Sequence, residues 1–193
     1  EFTIWDASKE VYLNPDIEYD SITDIRDNQS YKIVKIGGQV WMADNLNYAD
    51  SNITSILKEN SRCYGNETKN CEVAGRYYDK KTIAEICPQG WHIPSQAEWE
   101  VLIETVGGSN IVKYSSWWEY DPVNIVGMND YGFSIIPAGN VYGASYGDCE
   151  EGRCAAFFTS TECVDGVEEI ELDFVNERAY FTCEPVGFAY NVR

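Results

Sequence analysis

The sequence predicts an α+β domain, because its helix signals come early and its strand signals come late. The best helix signal lies in residues 95–106, where a cap is followed by an apolar stripe. After Ser109 the helical period disappears, and short apolar runs separated by turn-forming residues indicate β-strands and long loops. With 193 residues, 44% of them hydrophobic, the chain can bury one substantial core.

Two short helices are predicted. Ser95 and Glu98 form an S-x-x-E capping box, which places a helix start at Ser95. Gly107-Gly108 ends this helix. The second, shorter helix is predicted over 80–86. The apolar stripe of the longer helix consists of Trp99, Leu102, Ile103 and Val106.

Two hairpins are predicted by alternating hydrophobicity. Residues 31–47 alternate around Gly37-Gly38, and residues 168–181 place Ile170, Leu172 and Phe174 between acidic positions before an Asn-containing turn. Residues 1–23 show no sustained period and are interpreted as a lead-in or linker with at most one short strand. The domain itself is predicted to span 24–193.

The charge of the chain excludes some partners. Fourteen Lys and Arg against 32 Asp and Glu give a formal charge of -18, which repels phosphate backbones and anionic lipids. We therefore expect no nucleic-acid partner. The sequence contains no run of 18 apolar residues, so direct membrane insertion is not expected either.

The seven cysteines indicate an oxidising compartment. There is no C-x-x-C pair and a single histidine, so disulfides are favoured over a zinc site. The spacing of the cysteines suggests three disulfide pairs and leaves Cys87 without a partner. The three suggested pairs are Cys63 with Cys71, Cys149 with Cys154, and Cys163 with Cys183.

A series of stretches resembles the major paralogous domain family first described from Fibrobacter succinogenes. The resemblance runs in order over about residues 24–193. The matching stretches are YKIVKIGGQVWMADNLNY (31–48), GRYY (75–78), CPQGWHIPSQAEWEVL (87–102), YGFSIIPAG (131–139), FTSTE (158–162) and VGF (186–188).

This resemblance implies a C-type lectin-like fold related to that of formylglycine-generating enzymes. It also implies a partner for Cys87, because the family pattern usually continues beyond its last strand to a cysteine, which here would follow Arg193. Cys87 would then be a structural staple. The pairs 149–154 and 163–183 are interpreted as local additions.

The sequence gives less support to a catalytic function than to a structural role of these residues. A thiol nucleophile at Cys87 needs a base, and Pro88 and Trp91 lie between it and His92, five residues further on, so the two side chains need not converge. We expect His92 to be a packed, hydrogen-bonded turn residue. Formylglycine-generating enzymes use a reactive cysteine pair in a context that this chain lacks, and the lectin calcium motifs are absent, since only CEPV (183–186) and GMND (127–130) come near them.

No cofactor is predicted, although calcium remains open. Residues 148–177 hold ten acidic residues and one basic residue, Arg153, and clustered carboxylates suit that ion. Because no spaced D-x-D-x-D-G loop is present, a solvated acidic face is the favoured interpretation.

Exposed aromatic residues are the candidate ligand contacts, because the faces of sugars pack on flat rings. Two segments without a core period supply them, YSSWWEYDP (114–122) and NVYGASYGD (140–148). The candidates are Trp117, Trp118, Tyr120, Tyr142 and Tyr146.

Taken together, these features predict a non-catalytic module at the bacterial cell surface or outside the cell. Its expected role is binding or adhesion, with polysaccharide or other surface proteins as partners. The alternatives are a structural, pilin-like subunit of a surface assembly and an oxidase related to formylglycine-generating enzymes.

Overall fold

The fold was analysed in a computed structural model, which describes residues 4–6, 8–49, 60–109, 129–142, 145–147, 149–164, 166–173 and 179–193. Within these ranges the chain forms two α-helices and three sheets whose ladders are antiparallel. The predicted α+β class is confirmed. The closer assignment to a C-type lectin-like fold stays a prediction.

The first sheet contains the predicted hairpin around Gly37. Its strands are β1 (Asp20–Thr23), β2 (Ser30–Ile36) and β3 (Gln39–Met42), in the order β1-β2-β3. Gly37 has φ 58°, a left-handed conformation that favours glycine. A Cβ at this position would also lie 3.0 Å from Cγ2 of Thr105, so the turn packs closely against this exposed side chain.

Residues before the predicted boundary at Asp24 pack against the rest of the chain. Tyr12 is 2% exposed, and its hydroxyl donates a hydrogen bond to Asp44 Oδ1 at 3.0 Å. Ile4 is also buried, and Asp20 pairs with Ile33 across the first sheet. The boundary itself stays a prediction.

The longer predicted helix is confirmed, and we name it α2 (Gln96–Val106). Ser95 Oγ accepts a hydrogen bond from the Glu98 amide, while Glu98 Oε2 accepts one from the Ser95 amide at 2.8 Å. These two bonds form the capping box and satisfy two amides that the helix leaves unpaired. Gly107 ends the helix with φ 85°.

The other helix, α1 (Thr68–Ala74), was not predicted from the sequence. It is short, and it is held by packing of Val73 and Ala74 and by the disulfide from Cys71 rather than by a strong helical pattern. The prediction of a helix over 80–86 was wrong. That segment forms only the 3-10 helix Lys80–Thr82 and a following turn, and Pro88 disfavours continuation of a helix through Cys87.

The second sheet has five short strands, and the last strand of the chain lies at its centre. The order is β4-β5-β11-β6-β7. The strands are β4 (Ser61–Arg62), β5 (Tyr77–Asp79), β6 (Val141–Tyr142), β7 (Ser145–Tyr146) and β11 (Phe188–Tyr190).

The third sheet contains the second predicted hairpin. It is formed by β8 (Cys154–Phe158), β9 (Gly166–Asp173) and β10 (Ala179–Pro185), in the order β10-β9-β8. Leu172 pairs with Ala179, which confirms the pairing, while Phe174 lies outside the described residues. The central strand β9 buries its apolar side chains, whereas the acidic residues between them are half-buried. Glu169 is the exception, because it is buried.

An aromatic cluster joins α2 to the sheets. Trp99 of α2 is fully buried, and its ring centroid lies 4.9 Å from that of Trp41 on β3 and 5.5 Å from that of Phe157 on β8. Phe133 contacts the same ring edge-on at 5.7 Å. These aromatic contacts hold the helix against two of the three sheets.

The guanidinium group of Arg193 lies at the edge of this cluster and is buried. Its Nε donates to Asn45 Oδ1 at 2.6 Å, and its terminal nitrogens donate to the carbonyls of Phe133 and Ser134. Its carbon Cζ also lies 5.1 Å from the Phe133 ring centroid. Burial lowers the pKa of Arg193 to about 10, so the group remains protonated at neutral pH. One side chain thus satisfies acceptors from two distant segments.

We predict that Arg193→Met lowers the free energy of unfolding by about 3 kcal/mol or more, because it leaves two buried carbonyls and one amide oxygen without donors. The matched control is Arg153→Met. Arg153 is exposed and pairs with Glu150 at 3.2 Å, so its loss is expected to cost less than about 1 kcal/mol. Urea unfolding of the three proteins measures both values. Equal losses in the two variants would contradict this account.

Candidate functional site

The framework around the candidate site contains three disulfides. They join Cys63 to Cys71, Cys149 to Cys154, and Cys163 to Cys183, with Cα–Cα distances of 5.1, 5.5 and 5.9 Å. These are the same three pairs that the spacing suggested. Each bridge closes a loop or joins neighbouring strands, and together they are typical of proteins that mature in an oxidising compartment.

Cys87 is the one free cysteine of the seven, and it is half-buried. Burial raises the pKa of its thiol to about 11, and the nearby Arg26 guanidinium lowers it only in part. Cys87 lines a small cavity together with Val192 and Arg193. The disulfide partner that the family resemblance implies for Cys87 stays a prediction.

His92 orients a carboxylate and lies on the surface. Its Nε2 is 2.8 Å from Glu98 Oε1, and its side chain is 69% exposed. The expected hydrogen bond is therefore present, but the expectation that His92 is packed was wrong. The turn between Gly90 and Pro94 leaves the imidazole outside the core, because Ile93 takes the buried position next to it.

Ser95, Glu98 and His92 do not form a nucleophile and base. The Ser95 hydroxyl donates to Glu98 Oε2 at 2.9 Å, so it is paired with the carboxylate rather than with the imidazole. A serine nucleophile would instead need a hydrogen bond to the base that removes its proton. Burial raises the pKa of Glu98, but hydrogen bonds from the Ser95 backbone and from His92 outweigh this and lower it overall. The arrangement therefore holds a charged carboxylate at the start of α2.

Among the candidate aromatics, Tyr142 is placed on the surface by β6. It is 50% exposed and pairs across the strands with Phe188 of β11, with ring centroids 4.7 Å apart. Gly187 has φ 124°, and a Cβ there would lie 3.0 Å from Tyr142 Cε2. The sequence analysis did not select Phe188. Its position directly after Gly187 in the short VGF stretch was the available signal.

The remaining candidates are not positioned by this structure. Trp117, Trp118 and Tyr120 lie outside the described residues. The backbone of Tyr146 belongs to β7, where it pairs with Val141, and its side chain is outside the description. Their contact with a ligand stays a prediction.

A comparison with protein families agrees with the resemblance noted in the sequence. The family model of the Fibrobacter succinogenes major domain matches residues 34–193. The chain belongs to this family. No curated protein and no solved structure matches the chain. The family match begins inside β2. It therefore does not include β1, although β1 pairs with β2 in the first sheet.

The described residues contain no group of three or more His, Cys, Asp or Glu side chains placed to hold a metal ion. The acidic run of 148–177 is only partly a solvated face, because Glu169 is 2% exposed and accepts from the Thr182 hydroxyl at 3.2 Å. Within the same described ranges, no helix has the length and apolar character needed to cross a bilayer.

We predict that Cys87 is a slow nucleophile. At pH 8 a thiol with a pKa of about 11 holds on the order of a hundredfold less thiolate than one at the ordinary 9.0, and the thiolate is the reactive form. Labelling with iodoacetamide, followed by intact mass measurement, should give slow addition of one adduct to the native protein. The rate should increase as the pH rises toward 11.

The control is the protein unfolded in guanidinium chloride without reductant, in which the same single thiol should react quickly. A native rate at pH 7 that equals or exceeds the unfolded rate would contradict the buried, protonated thiol.

Proposed function

We propose that this member of the Fibrobacter succinogenes major domain family is a non-catalytic binding module of an extracellular or cell-surface protein, and that it contacts polysaccharide. The observation that carries this proposal is the aromatic pair formed by the exposed ring of Tyr142 and the half-buried ring of Phe188. The two rings are tilted by 53° to each other, and strand pairing fixes their positions, so the exposed face of Tyr142 is held in place for a ligand.

The rigidity of this pair favours binding. Tyr142 and Phe188 stand opposite each other on adjacent strands, and Phe188 also stacks on buried Tyr190 at 6.0 Å with an interplanar angle of 11°. A ring that is already held in place loses little conformational entropy when a ligand packs on it. The C–H face of a sugar ring is such a ligand, and the phenol hydroxyl of Tyr142 adds a hydrogen-bonding group.

The cysteines support the proposed location. Six of the seven are in disulfides, and such bridges persist in secreted and surface proteins rather than in the reducing cytosol. The formal charge of -18 suits a protein that must stay soluble and avoid nonspecific contact with anionic surfaces.

The same cysteines argue against the oxidase alternative. Chemistry of the kind used by formylglycine-generating enzymes needs a pair of reactive thiols, and only Cys87 is free in this chain. Its raised pKa makes it a poor nucleophile. These features favour a binding role over an enzymatic one.

A structural subunit is the second candidate. In the third sheet β10 lies at the edge of the order β10-β9-β8, so within the described residues its outer side is not paired to another strand. An edge strand is a surface on which a second chain can add by backbone hydrogen bonds. Such a subunit would self-associate and would bind no polysaccharide.

We predict that Tyr142→Ala weakens polysaccharide binding about two- to tenfold, because it removes one ring of the aromatic pair. Affinity electrophoresis or isothermal calorimetry against soluble β-glucan, xylan and mannan provides the measurement. The matched control is Tyr180→Ala, since Tyr180 is a similarly exposed tyrosine, at 38%, on β10 of another sheet.

The wild-type protein could bind none of these polysaccharides and form concentration-dependent oligomers in sedimentation. In that case the structural-subunit hypothesis replaces the polysaccharide-binding hypothesis. Equal weakening by Tyr142→Ala and Tyr180→Ala would show that Tyr142 has no specific role.

A further inference from the structure

A second surface, separate from the aromatic pair, has the features of a ligand site. It is an open groove of about 340 Å³ between the β2–β3 turn, the 90–94 segment and the first turn of α2. Its floor contains the buried side chains of Trp41 and Met42. The half-buried ring of Trp91 and the exposed imidazole of His92 form one wall. This volume lies at the lower end of the usual range for small-ligand pockets.

The polar groups of the groove are fixed before any ligand arrives. The Gln39 side chain bridges two elements, since its Nε2 donates to the Glu98 carbonyl at 3.1 Å and its Oε1 accepts from Trp41 Nε1 at 3.1 Å. The Glu98 carboxylate is oriented by His92 and by Ser95. A primary amide has a second N–H, and a carboxylate oxygen accepts more than one hydrogen bond, so both groups retain capacity toward a ligand.

The charges favour a neutral ligand. Glu98 is ionised at neutral pH because hydrogen bonds lower its pKa, and the Arg193 guanidinium is already engaged by Asn45 and two backbone carbonyls. Among the described residues that line the groove, Arg193 and His92 are already paired, so an anion would face the Glu98 carboxylate without an unengaged basic side chain, in a chain of net charge -18. Hydroxyl groups, in contrast, donate well to a fixed carboxylate.

The groove is open because two glycines line it. A Cβ built on Gly38 or on Gly90 would have no heavy atom within 4 Å. Gly90 has φ 85° and needs glycine for its backbone, whereas Gly38 does not have a left-handed φ. A side chain at position 38 would therefore occupy free space without straining the turn.

We propose that this groove binds a sugar residue of a neutral polysaccharide, with its ring against Trp91 and its hydroxyls donating to Glu98 and accepting from Gln39. This inference rests on the proposed function and deepens it, because it adds a polar subsite to the aromatic pair of Tyr142 and Phe188.

The test uses two variants that keep the fold. Glu98→Gln retains the capping box, since glutamine also serves at that position, but replaces a charged acceptor by a neutral amide. Gly38→Leu adds a bulky side chain at a residue that lines the groove. Each is expected to weaken binding of soluble β-glucan, xylan or mannan at least about tenfold. The matched control is Glu100→Gln, because Glu100 is an exposed carboxylate two residues along α2 and does not line the groove. Its binding should be unchanged.

The outcomes separate the two proposals. If the wild-type protein binds and Tyr142→Ala weakens binding while Glu98→Gln and Gly38→Leu do not, the groove proposal is overturned and the proposed function stands. If the wild-type protein binds no polysaccharide, both fail together. Tighter binding of anionic polygalacturonate than of every neutral probe would also overturn the groove proposal, because the charge argument excludes it.

Discussion

The buried guanidinium of Arg193 is the interaction on which the arrangement of the sheets depends. It is held by Asn45 after the first sheet and by the carbonyls of Phe133 and Ser134, and it lies over the aromatic ring that packs on Trp99. A buried cation is stable only when its donors are used, and here backbone oxygens supply the acceptors. The segment after β11 is therefore fixed to two regions that are far away in the sequence.

Both candidate surfaces depend on this segment. The strand β11 is central in the second sheet, and its Phe188 stands opposite Tyr142, so the aromatic pair exists only when β11 is in register. Arg193 then lines the groove that contains Gln39 and Glu98. A change that releases the end of the described chain would alter the two surfaces together, although they lie on different elements.

The features that the sequence predicted well are those with local physical causes. The capping box of Ser95 and Glu98, the turn at Gly37 and the closely spaced cysteine pairs each involve residues that are near one another in the chain. The features that it missed depend on distant partners. Helix α1 is stabilised by packing and a disulfide, and the role of Arg193 requires acceptors about 60 and 148 positions away. No periodicity marks such a contact.

The stretch from Cys87 to Glu98 shows why residue types alone do not establish chemistry. It contains a thiol, an imidazole, a hydroxyl and a carboxylate, yet burial keeps the thiol protonated and the hydroxyl donates to the carboxylate instead of to the imidazole. Proton removal from a nucleophile needs the opposite arrangement. What these contacts achieve is a fixed, ionised Glu98 beside an open groove. A fixed acceptor can hold a hydroxyl-bearing ligand, and because the Ser95 hydroxyl is bonded to the carboxylate and not to the imidazole, these contacts fit the proposed binding role.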